Sequence, residues 1–153
     1  MEIKTITAVN SYPILKGIKV SDLSDDAAFA VWKAIKALRP IHEEYNKERE
    51  EVLGTMRDDT FKQIQERLKK AQEREEKVNK SEYTMTPEDI KDVAEINNYY
   101  AVFNGKVEKY FAEQNEKMVV VDVNPVPEDE LLKAVKASGK GFSEMETLEW
   151  LTE

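Results

Sequence analysis

Three short stretches hold residue types that could do chemistry. Gly139-Lys140-Gly141 with Ser143 combines glycines, whose amides can approach an anion, with a cation to meet it. A nucleotide phosphate loop has a glycine five residues before its Gly-Lys pair, a hydroxyl residue directly after it, and a strand in front. Here Gly141 follows Lys140 and the residues before read as helix, so a helix end and linker are expected. His42 beside Glu43 and Glu44 brings a base next to two carboxylates, but neighbours on a helix point roughly 100° apart, and adjacency makes no dyad. Asp25-Asp26 and Asp58-Asp59 lack the alternating acids and glycine bend of a calcium loop, and read as helix caps. The chain has no Cys and one His, which removes disulfides, thiolate zinc sites and cysteine nucleophiles. No catalytic residue, cofactor or metal is assigned, and the chain is read as not an enzyme.

Two adjacent asparagines cost helix propensity, so the cluster Asn97, Asn98, Tyr99, Tyr100 and Asn104 invites a hydrogen-bonding role. With the polar members of a long apolar seam, it gives the residues expected to contact a partner or ligand: His42, Tyr45, Arg49, Asn97, Asn98 and Tyr100. Trp32 and Trp150 are expected to anchor the core, and exposure of either would mark an interface.

At 153 residues the chain is expected to form a single domain. With 41% hydrophobic and 35% charged residues it leans towards long, solvent-facing helices. The net charge of -8 comes mainly from residues 112–153, and the densest basic run, Arg67-Leu68-Lys69-Lys70, lies among as many acids, so direct nucleic-acid binding is not expected. The N-terminus lacks the pattern of a leader and no apolar run is long enough to span a bilayer, which predicts no membrane contact.

The elements that must position these residues follow from periodicity and caps. Residues 1–23 predict a short helix and then a turn into Ile18-Lys19-Val20, a candidate strand. Ser24 caps a helix whose seam runs Val31, Ile35, Leu38, His42, Tyr45, Arg49, Val52 and Met56, with Pro40 predicting a kink near Leu38 or two helices. The seam slips at residues 55–60, and a narrow second stripe runs from Phe61 to Val78, either projecting or resting on a neighbour. Thr86-Pro87-Glu88-Asp89 starts the most apolar helix, with Val93, Ile96, Tyr100, Phe103, Val107 and Tyr110. It is expected to lie antiparallel to the earlier seam.

Met118 to Val123 is a strand, paired either with Ile18-Lys19-Val20 or with the first residues. A short helix opens at Pro127, Ser138-Gly139 closes it, and Ser143-Glu144-Met145-Glu146 reads as a capping box for a last helix. The expected fold is mainly α: a long amphipathic antiparallel helical hairpin over residues 24–111, with an arm at 58–85 that can project. Residues 1–23 and 117–153 pack at its base as a two- or three-stranded β element and short C-terminal helices.

The order Ile6-Thr7-Ala8-Val9-Asn10, Ile14-Leu15, Ala27-Ala28-Phe29-Ala30, Ile35-Lys36-Ala37-Leu38, the acidic helix from Glu43 to Leu53, and the closing Val119 to Val123, Met145, Leu148 and Glu149 resembles a group of small proteins of tailed phages and prophages. Pro40 and the insertion from Asp58 to Lys80 depart from it. The resemblance implies a phage origin and carries no activity. The expected function is a non-enzymatic protein-binding module acting in particle assembly or by inhibiting a host defence protein, in the host cytoplasm or the virion. A homodimer is compatible with the helical seams. The alternatives are a protein that sequesters a small molecule or nucleotide signal, using Arg39, Arg49, Asn97, Asn98 and Tyr100, and a structural component of the virion.

Overall fold

The computed structural model describes every residue from Met1 to Glu153. It is mainly helical, with six helices and one two-stranded sheet: β1 (Glu2–Lys4), α1 (Thr5–Gly17), α2 (Asp25–Met56), α3 (Asp59–Asn79), α4 (Pro87–Asn115), β2 (Met118–Val120), α5 (Glu128–Ala137), α6 (Phe142–Leu148) and a final 3-10 turn, Glu149–Leu151. The long helices and the short C-terminal ones follow the expected fold. Two compact units form, one from residues 1–48 and 113–153, the other from residues 49–112.

The first unit holds the main core. Leu15, Val31, Leu38, Val121, Val126, Leu131, Val135, Leu148 and Leu151 are all essentially inaccessible to water. At about 25 cal/mol for each Å² of apolar surface removed from water, this cluster supplies the unit's main driving force. The buried face of α2 is written largely in small residues, Ala27, Ala30 and Ala34 around Val31 and Leu38, which lets its neighbours approach closely. β1 and β2 run antiparallel with Ile3 opposite Val119, so β2 pairs with the first residues and not with Ile18-Lys19-Val20. Lys19 is held instead by its amide, which donates to the Ser138 hydroxyl at 3.0 Å. Val126 and Thr152 form a further parallel bridge that ties down the chain's last turn.

Pro40 does not divide its helix in two: α2 runs through it, as α1 runs through Pro13. Each proline is exposed. At Pro40 the carbonyl that loses its donor belongs to Lys36, which is exposed as well and can be hydrated. Ser24 caps α2 as expected, accepting from Ala27 N–H at 3.3 Å, and its own N–H and hydroxyl donate to Glu130 on α5 at 2.8 and 3.1 Å. The capping box predicted at Ser143 does not form: the cap lies two residues earlier, at Gly141, which has no side chain to complete a box. Gly141 precedes α6, and its N–H donates to the Glu144 carboxylate at 2.9 Å, which holds that carboxyl below its ordinary range. Gly139 ends α5 at φ 76°, a left-handed conformation that favours glycine.

In the second unit the seam slip becomes a break: α2 stops at Met56, and Asp58 caps α3 by accepting from Phe61 N–H at 2.9 Å. Helix α3 rests on α4 as one half of an antiparallel pair. Buried Phe61 meets the rings of Tyr99, Tyr100 and Phe103 at 6.5, 5.9 and 4.8 Å. Further along, Arg67 donates to Asp92 and Glu95, and Arg74 to Asp92. The turn after α3 is fastened by Tyr83, whose hydroxyl donates to Asp89 at 2.6 Å. The predicted start of α4 is capped by the Thr86 hydroxyl, which accepts from Asp89 N–H at 3.1 Å, and the Asp89 carboxylate accepts from Thr86 N–H at 3.0 Å.

Candidate functional site

The six predicted contact residues are distributed over local structural roles. His42 Nδ1 lies 3.2 Å from the carbonyl of Val9, and its ring packs on Tyr12 at 4.7 Å. Val9 lies four residues before Pro13, so its carbonyl is the one that loses its helical donor to the proline. His42 fills the vacancy, which fixes the proton on Nδ1 and leaves Nε2 to accept from Asn46 at 3.1 Å. Tyr45 donates to Asn115 at 2.6 Å. In the second unit the Arg49 guanidinium lies over Phe111 at 5.3 Å, Tyr100 meets Phe61 edge-on, and Asn98 is exposed. Asn97 lines a groove of about 450 Å³ with Leu68, Ala71, Val78, Met85 and Val93. Arg39, offered for a nucleotide ligand, donates to Tyr12 at 3.3 Å.

A different group stands out on the first unit. Trp150 is half-buried as expected, its indole N–H donating at 2.9 Å to Ser11, whose hydroxyl donates in turn to Thr7 at 2.7 Å. Trp32 departs from the expectation that it anchors the core: it is 52% exposed, and Phe29 is 57% exposed. The rings stack at 5.8 Å with 30° between their planes. Lys33 Nζ lies 5.5 Å from the Phe29 ring centre, and Lys36 Nζ lies 5.2 Å from that of Trp32.

These four residues sit at i, i+3, i+4 and i+7 of one helix, on the side away from Ala27, Ala30, Val31, Ala34 and Leu38. A cleft beside Phe29 is lined by Ser24, Asp26, Pro125 and Pro127. Helical spacing was the signal for this stripe. It escapes a seam count because Val31 and Leu38 supply the stronger apolar period.

Elsewhere the charge is internally matched. Asp92 is held below its ordinary range chiefly by the Arg67 hydrogen bond and then by Arg74, and Asp89 chiefly by the Tyr83 hydroxyl. Burial pushes Tyr99 up, with Asp58 adding to it. No group of three or more His, Cys, Asp or Glu is arranged to hold a metal ion, and no helix is long and apolar enough to cross a membrane. No family model matches the chain, and neither a curated protein nor a solved structure does.

Proposed function

We propose that this chain is a non-enzymatic protein-binding module whose docking surface is the Phe29–Trp32 face of α2. The observation that carries this is the paired exposure of two large rings, each covered on one side by a lysine. Tryptophan is the residue type most enriched at binding hot spots. A stacked pair already fixed on a helix loses little freedom when a partner covers it. The lysines contribute cation–π attraction at the rim and reject a basic partner. The resemblance to phage and prophage proteins supports a partner from the phage particle or from its host.

The test is retention of proteins from an infected-cell extract by the immobilised chain at low salt, compared with the Phe29→Ser/Trp32→Ser variant. Proteins held by the first and released by the second are the expected result. A phage structural protein among them favours assembly, and a host protein favours inhibition. Identical retention by both chains would remove this face from the function.

A further inference from the structure

The charges around the aromatic pair are ordered along the helix. Asp25 and Asp26 stand before it, Lys33 and Lys36 stand with and after it, and all four are exposed. At 3.6 residues per turn these four and the two rings fall within an arc of roughly 120°, about 16 Å long. Such a face is its own complement when turned end for end. An antiparallel copy that sets Phe29 against Trp32 of the second copy also sets Asp25 against Lys36, and two-fold symmetry repeats both contacts. Asp25 and Lys36 lie on the side of Phe29 towards Trp32. Asp26 and Lys33 lie on its other side and come within one turn of each other across the same axis. The Asp25–Lys36 lane passes between Phe29 and Trp32 around the helix and lies beyond both rings along it, so one such pair closes each end of a four-ring centre.

We infer that the occupant of this face is a second copy of the chain, docked antiparallel through α2, with Asp25–Lys36 pairs flanking stacked Phe29 and Trp32 rings. This deepens the proposed function, resting on the reading of the Phe29–Trp32 face as a docking surface. A chain with net charge -8 resists self-association at long range. The local sign reversal on this helix is what allows a close approach here. Three helical turns form a small interface, so the pairing is weak and depends on concentration.

The experiment is sedimentation equilibrium of the purified chain from about 1 μM to about 1 mM, the range in which an interface of this size associates. The wild-type mass is expected to climb from one chain towards two. Lys36→Glu alone and Asp25→Lys alone each place like charges together twice, and each should weaken association by at least about tenfold. An equimolar mixture of these two variants, or the double variant Asp25→Lys/Lys36→Glu, should recover it. If Asp25→Lys lowers the helix signal, Lys33→Glu with Asp26→Lys tests the other lane in the same way.

A wild-type chain that stays at one chain's mass throughout overturns the inference, as does association that ignores the single reversals or is not restored by the swap. In each case the extract experiment still decides whether the face binds another protein.

Discussion

The match between Pro13 and His42 can be measured as a coupling energy. Pro13 removes the N–H that would bond the carbonyl of Val9, and His42 supplies the replacement at 3.2 Å. Replacing His42 with Phe keeps a ring against Tyr12 and removes the donor. Val9 is only 7% exposed, so its carbonyl gains little water in exchange. An unsatisfied buried acceptor costs about 1–3 kcal/mol, and His42→Phe is expected to destabilise the first unit by that amount.

Pro13→Ala returns a peptide N–H four residues after Val9, where the helix itself can satisfy the carbonyl. In that background His42→Phe should cost about 1 kcal/mol less. Urea unfolding followed by tryptophan fluorescence suits the cycle because Trp32 and Trp150 both belong to the first unit. If His42→Phe costs the same in the two backgrounds within about 0.5 kcal/mol, the proline and the histidine are independent and the argument fails.

Trp32→Ala should cost only about 1 kcal/mol, the worth of an exposed ring pair with its cation. Leu38→Ala, six residues on and fully buried, should cost about 2–5 kcal/mol in the same urea assay, and equal losses would place Trp32 in the core after all. Acid should loosen the α3–α4 pair. Asp89 and Asp92 titrate lower when folded than the ordinary aspartate value of 3.8, so their contribution is complete above that pH and is lost as pH falls below it through the folded values. Followed by circular dichroism, the acid transition of the Arg67→Gln variant should move to higher pH, and an unmoved transition would show that the Arg67 ladder does not hold the pair.

The helices were legible because their signals are local. Ser24, Asp58 and Thr86 each accept from the amide three residues on, as their hydroxyl or carboxylate caps suggest. The seam slip after Met56 marked a real break because a phase change in the apolar stripe cannot be absorbed by one continuous helix. Long-range pairings were less legible. Which segment joins Met118–Val120 is decided by α1, which begins at Thr5, directly after β1. Neither Pro13 nor Pro40 divides its helix, because a proline's cost depends on whether the carbonyl it strands finds another donor. For Pro13 that donor is His42, 33 residues beyond the stranded carbonyl of Val9.

The predicted contact residues point to the same distinction. His42, Tyr45 and Arg49 were singled out as polar residues in an apolar seam, which is also what local structure asks of a seam when a carbonyl, an amide or a ring face needs a partner. Each of them has such a partner. Phe29 and Trp32 are the converse: apolar rings on a helix face that they share with exposed Asp25, Asp26, Lys33 and Lys36. Burial already satisfies the opposite side of α2 through alanines, valine and leucine, so the rings add little to the fold by standing where they do. An exposed aromatic pair costs solubility, and a lysine beside each ring limits that cost without hiding the rings. Packing within the chain gives no reason for that arrangement, whereas docking against another helix does.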